Sequence, residues 1–266
     1  MRLFLRVAFV TLSFVFLLAP IVVVVVSSFN AVGVLSFPPQ SFTTRWYYEI
    51  DPGFYQALWV SLTVAAITVM IAVLVGVPAA LALARGDFPG RDSLNALCLS
   101  PLTVPALVTG VAVFQFSLVL WDFTKVALAG SIAGLVAGHL TFAIPFVVRS
   151  VLASHTRFDS ELEEAAQNLG ARPMQTFFEV TLPILKPGIV SGAIFAFLVS
   201  LDEVPIALFM GGGDATTLPV RIFTAIEISF GGDILAIASL IVMASLVLML
   251  ILDRIVGLER LFATRH

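Results

Sequence analysis

Charge is what this chain has least of. Of its 266 residues only 12% are Asp, Glu, Lys or Arg, while 59% are hydrophobic. A soluble domain averages about a quarter charged and about half apolar. The polar surface is too small to cover a globule in water, so a soluble fold is excluded. The formal net charge of −3 carries no basic excess, which argues against a nucleic-acid binder, since such proteins present a basic patch. Cysteine occurs once, at Cys98. That excludes an internal disulfide and any multi-cysteine metal site, and no metal is expected.

What the chain has instead is long apolar runs. A helix needs about 20 apolar residues to cross the hydrocarbon core. Six runs qualify: Val7–Val26, Ala57–Ala84, Leu97–Leu120, Leu128–Val148, Ile189–Met210 and Ile234–Leu252. They are continuous rather than alternating, so they predict helices and not a β-barrel. The expected fold is all-α, a polytopic membrane protein with six transmembrane helices in a single domain, 1–266. The first run follows Arg2 and Arg6 in the manner of a secretory signal. Its apolar stretch is too long for a signal, and no cleavage site follows, so it is expected to be retained as a span.

Loop charges predict orientation. With the N-terminus inside, the cytoplasmic segments hold Arg2, Arg6, Arg85, Arg91, Arg149, Arg157, Arg172, Lys186, Arg254, Arg260 and Arg265. The outer segments hold Arg45, Lys125 and Arg221. The positive-inside bias places both termini in the cytoplasm, most naturally at a bacterial inner membrane. The outer segment Ser27–Gln56 carries Phe42, Trp46, Tyr47, Tyr48, Phe54 and Tyr55. These rings suit an interfacial belt, or else a docking surface for an outside partner. Gly211–Asp233 is expected to be an outer loop, with Gly211–Gly213 and Gly231–Gly232 marking turns.

The inner segment Arg149–Gly188 is the most informative. Ser160 and Glu163 have capping-box spacing. Leu162, Ala165, Ala166 and Leu169 form one apolar face of a helix. Glu161 and Glu163 favour its first turn, and Gly170 stops it. Pro173 opens a second short helix with Met174, Phe177, Phe178 and Thr181 on one face, broken by Pro183 and Pro187. The predicted product is a helical hairpin. Its apolar face suits either a partner's groove or the chain's own bundle.

The run Glu164-Ala165-Ala166, three residues, Gly170, nine residues, Val180, one residue, Leu182-Pro183 resembles the EAA motif of ABC-importer permeases. Only Val180 departs from the family pattern, which has Ile there. The resemblance implies a type I ABC-importer permease fold. It also implies that this loop (149–188) is a coupling helix seated in a groove of an ATP-binding subunit, through Glu164, Ala165, Ala166, Gly170, Leu182 and Pro183. Implied partners are a second homologous permease in a heterodimer, two ATPase subunits and a periplasmic binding protein. The chain has no Gly-x4-Gly-Lys-Ser/Thr loop; it is expected to bind no cofactor, with ATP and Mg held by the partner ATPases. Phe42-Thr43-x-x-Trp46-Tyr47, Phe142-x-x-Pro145-Phe146-Val147-Val148 and Ser200-Leu201-Asp202-Glu203 look like the spermidine/putrescine branch, which tends to carry Ser-x-Asp-Asp in the last of these. Permeases for aminoalkylphosphonates, opines, amino-acid derivatives and ferric iron share parts of these patterns.

Asp202 and Glu203 fall inside the fifth run, about 20 Å from Ile189 at about 1.5 Å per residue. Acids there are costly and usually face a cavity or a partner. They suit a pathway for a cationic substrate, with Gln115 as a further polar candidate, or equally a buttress against the second permease. Pro205 should loosen the helix beside them. Gly130, Gly134 and Gly138 recur every four residues and predict close helix packing in the fourth run. His139 beside them suits a hydrogen-bonded packing residue. A hydrolase would need Ser131 with His139, but these lie roughly 12 Å apart along one helix, and Asp202 has no second aspartate on another span. A stand-alone secondary transporter would show inverted repeats, and the hydropathy shows none. The expectation is a transport subunit, not an enzyme.

Overall fold

The computed structural model describes residues 2–156, 158–228 and 230–256, with side chains from Leu5 to Val247. Of the basic residues used for orientation, Arg157, Arg260 and Arg265 lie outside the described residues, as do the side chains of Arg2 and Arg254. In chain order the helices are α1 (Arg2–Ser27), α2 (Arg45–Tyr48), α3 (Pro52–Arg85), α4 (Arg91–Leu99), α5 (Ala106–Thr124), α6 (Ile132–His155), α7 (Glu161–Asn168), α8 (Pro173–Thr176), α9 (Leu182–Asp202), α10 (Pro205–Met210), α11 (Leu218–Ile228) and α12 (Gly232–Val256). Among the described residues there is no strand, and the fold is all-α.

Five stretches of helix are long and apolar enough to cross a membrane: Leu5–Ser27, Pro52–Arg85, Ala106–Thr124, Ile132–His155 and Pro173–Asp202. The sixth expected run falls in the 25-residue α12.

Three boundaries differ from the sequence expectation. The third long helix starts at Ala106, not Leu97: a 3-10 turn carrying Pro101 ends α4, and Pro105, extended at ψ 130°, precedes the first residue of α5. The fourth starts at Ile132, capped by the Ser131 hydroxyl, which accepts the Gly134 N–H at 3.1 Å. Gly130 therefore lies in the preceding turn at φ 78° and is not on the helix. At the fifth, Pro183 and Pro187 break nothing. Pro183 sits in the first turn of α9, where its missing N–H costs little, and Pro187 is carried inside the helix. The segment 211–233, expected to be a loop, also holds a helix, α11, that its glycines concealed.

The chain divides into two compact units, Met1–Gln56 with Arg221–His266, and Ala57–Val220. In the first, α1 and α2 pack on α12. The Tyr47 hydroxyl meets Ser28 Oγ at 2.6 Å and Ser239 Oγ at 2.8 Å, and Trp46 Nε1 donates to the Asn30 carbonyl at 2.8 Å. These two rings are packing residues of the unit, whereas Phe42, Tyr48 and Tyr55 are exposed. Asp51 accepts the Gly53 N–H and pairs with Arg221 at 2.9 Å. The Gly53 N–H first, then Arg221, hold its carboxyl below the ordinary carboxylate pKa.

In the second unit, α6 and α9 lie along each other. Lipid tails are as apolar as leucine, so close packing and hydrogen bonds, rather than exclusion of water, hold such helices together. A methyl group at Gly192 of α9 would lie 3.0 Å from Val147 Cα of α6. One core cluster gathers Val64, Leu135, Val136, Ile206 and Met210; another gathers Ala80, Val147, Val151, Leu185 and Ala196.

Candidate functional site

Two places in the second unit interrupt its long helices, and each carries a pair of adjacent acids. The first is the hairpin between α6 and α9. Its leading helix, α7, has Ser160 at its N-cap, yet the Ser160 hydroxyl makes no cap. Asp159 does this instead, its Oδ1 accepting the Glu161 N–H at 3.0 Å. The capping box expected from Ser160 and Glu163 does not form, because the Glu163 side chain is used elsewhere. Its Oε1 accepts from Arg85 Nη2 at 2.7 Å and from the Thr181 hydroxyl.

The far end of α7 closes as the sequence suggests. Gly170 takes φ 90°, its N–H reaches the Gln167 carbonyl at 2.9 Å, and the Ala171 N–H reaches Ala166 at 3.1 Å. This left-handed turn satisfies carbonyls the helix end leaves free. The Gln175 side chain accepts the Arg172 N–H at 3.0 Å to open α8. A π segment, Phe177–Thr181, then joins α8 to α9, with the Leu182 N–H reaching back to Phe177. The wider π turn rotates the side chains. Met174 and Phe178 point out while Thr181 is buried, so the four residues expected on one face do not share it.

The apolar face of α7 is turned outward. Leu162 is 50% exposed and Leu169 90%. Glu164 and Ala165 are exposed beside them, Ala166 is half-buried, and Pro183 is exposed beyond half-buried Leu182. The described chain thus leaves an apolar stripe, flanked by a free carboxylate, without cover of its own.

The second interruption follows α9. Glu203 is extended at φ −71°, ψ 113°, and the helix resumes at Pro205. Proline weakens a helix, since it lacks the N–H and its ring meets the carbonyl a turn back; Pro187 is tolerated inside α9, but before Pro205 the helix stops. The Glu203 carboxylate fills the gap, accepting the Ile206 N–H at 2.9 Å. It is 9% exposed, whereas Asp202, its neighbour, is exposed. The two acids therefore sit in different surroundings. Gln115 lies exposed on α5, the helix that packs along α10.

Around this break the packing is tight. A Cβ on Gly134 would run into the Leu128 carbonyl, and one on Gly138 into Ile206 of α10. His139 is buried, its Nδ1 2.8 Å from Ser200 Oγ on α9. Ser131, at the helix start, is engaged in its cap. Sequence reasoning did not find the Arg85 and Thr181 contacts, nor the cap by Glu203. Asp159 stands one residue before Ser160 and has the same capping chemistry.

Residues 72–258 match the family described as "Binding-protein-dependent transport system inner membrane component". The putrescine transport system permease protein PotI of Escherichia coli K12 is 34% identical over 239 residues, covering 89% of this chain and 85% of that protein. The spermidine/putrescine transport system permease protein PotC of Haemophilus influenzae is 30% identical over 252 residues, covering 94% and 95%. A bacterial ABC transporter that imports the acidic polysaccharide alginate shares the fold, at TM-score 0.67 and 17% identity over 96% of both chains. The chain belongs to this family of binding-protein-dependent inner-membrane components: it is a multi-pass permease subunit of an ABC importer, a transport component and not a catalytic one.

Proposed function

We propose that the chain forms half of the translocation pathway for a polyamine such as putrescine or spermidine, delivered by a periplasmic binding protein. In this reading it pairs with a second, homologous permease, spans the membrane six times with α12 as the last crossing, and keeps both termini in the cytoplasm. Two ATPase subunits hold the ATP and Mg. One of them receives the hairpin through Glu164, Ala165, Ala166, Gly170, Leu182 and Pro183.

The observation that carries this reading is the outward apolar face of α7, with Leu169 90% exposed next to free Glu164. A helix of this kind docks by laying its apolar face in a groove. The polyamine assignment is supported by the two relatives above and by Asp202, an exposed acid at a helix break suited to a passing cation.

The test is co-purification of the assembled complex from cells carrying Glu164→Arg with Leu169→Asp. The variant is expected to reach the membrane, lose its ATPase and stop putrescine uptake. An ATPase still bound, with uptake intact, overturns the docking assignment. Calorimetry of the cognate binding protein against putrescine, spermidine, an aminoalkylphosphonate and ferric ion tests the substrate. Binding confined to a compound that is not a polyamine overturns that part alone.

A further inference from the structure

Glu163 and Glu164 are neighbours in sequence, yet only Glu164 is free. Within α7 Glu163 and Ala166 are half-buried and the other residues exposed, and Glu163 is the one of these two whose side chain bonds to other elements. One carboxylate oxygen takes two donors: Arg85 Nη2, on the last residue of α3, and the hydroxyl of Thr181, at the end of the π segment leading into α9. Arg85 also lies over the Phe158 ring, 5.6 Å from its centroid. Phe158 in turn stacks on His155, the last residue of α6, at 5.2 Å. The ends of α3 and α6 and the start of α9 thus meet in one polar knot around a side chain of α7.

We propose that Glu163 is a positioning residue. The knot makes α7 move as one piece with α3, α6 and α9, so that a displacement of the hairpin reaches the membrane helices. Stability is not its main effect, because the Arg85 end of the pair is open to solvent, its side chain 40% exposed, and solvent screening weakens such a pair. What two donors on one oxygen supply is a fixed register between rigid elements, the kind of contiguous contact that carries coupling. The π turn contributes by rotating Thr181 inward to reach Glu163; such turns recur at functional positions in helices.

This inference rests on the docking reading above, and the experiment separates the two. The full complex is reconstituted in proteoliposomes with binding protein and radiolabelled putrescine. ATPase co-purification reads docking, and uptake per ATP hydrolysed reads the knot. Glu163→Arg and Arg85→Glu are each expected to keep the ATPase bound and to lower uptake per ATP about tenfold, within the range of measured coupling energies. Combining them, which exchanges the charges, is expected to recover most of the loss. Thr181→Val, which keeps the volume and removes one donor, and Glu163→Gln are expected to lower the same ratio about threefold, and they carry the test if the charge-reversed chains fail to reach the membrane. Unchanged uptake per ATP in the single variants, or a double variant no better than either, overturns the proposal. So does loss of the ATPase from the Glu163 variants, which would make Glu163 a docking residue.

Discussion

The hairpin around α7 and the break between α9 and α10 face the same problem, an interruption of helix with two consecutive acids beside it. In each, one acid is turned inward to satisfy donors and the other is left out. At the hairpin Glu163 takes Arg85 and Thr181 while Glu164 is exposed. At the break Glu203 takes the Ile206 N–H while Asp202 is exposed. They differ in what the inward acid holds. Glu203 completes the backbone of a buried helix start, where an unpaired N–H is costly. Glu163 joins side chains at a half-exposed site, where the cost of losing them is small. Adjacent side chains on a helix, such as Glu163 and Glu164, point about 100° apart, and Glu203 stands beyond the helix that ends at Asp202, so neither pair was bound to share a role.

The largest expected effect tests the buried member. Glu203→Ala leaves the Ile206 N–H without its acceptor and is expected to cost about 1–3 kcal/mol, seen as a lower unfolding temperature of the purified complex. Glu203→Gln keeps an acceptor oxygen and should recover most of it. Asp202→Asn, at a side chain exposed in the single chain, should change stability less than Glu203→Ala does, while slowing putrescine uptake. Equal destabilisation by Asp202→Asn and Glu203→Ala would erase the difference between the two acids.

A smaller and more local effect is expected at Gly170. Its φ is 90°, and nothing lies within 4 Å of where a Cβ would stand. Space is open, so only the backbone resists substitution. Gly170→Val should cost about 1–2 kcal/mol of left-handed strain, confined to the hairpin. Hydrogen exchange should speed up in residues 159–172 while the amides of α6 keep their protection. Loss of protection throughout α6 would show that the hairpin and the bundle unfold together.

Apolar length and the Gly170 turn made the helices and the hairpin legible from sequence, because both depend on local chemistry. Prolines were the weak point. Pro183 and Pro187 looked like breaks and are not: Pro183 falls in the first turn of α9 and Pro187 is carried inside it, as Pro20, Pro78 and Pro145 are carried inside α1, α3 and α6, whereas the helix does stop before Pro205. Gly130 fitted the four-residue spacing of Gly134 and Gly138 but sits in a left-handed turn. Spacing alone cannot tell a helix residue from a turn just before the helix. The roles of Glu163 and Glu203 were hidden for another reason. Arg85 lies far from Glu163 in the chain, and the Ile206 N–H needs an acceptor only because the helix has already broken at Glu203.

The smallest expected effect separates two readings of the same four residues. Ser160 and Glu163 fit a capping box, but Glu163 is drawn away to Arg85 and Asp159 accepts the Glu161 N–H instead. Asp159→Ala should therefore cost α7 about 1 kcal/mol, the usual worth of such a cap. Ser160→Ala should leave it unchanged. Measured as hydrogen exchange at Glu161–Glu164, Asp159→Ala should speed exchange about fivefold. The reverse ranking would mean that Glu163 leaves Arg85 to cap its own helix. The knot would then be an alternative to the capping box rather than its replacement, and the contrast between a held Glu163 and a free Glu164 would fail along with it.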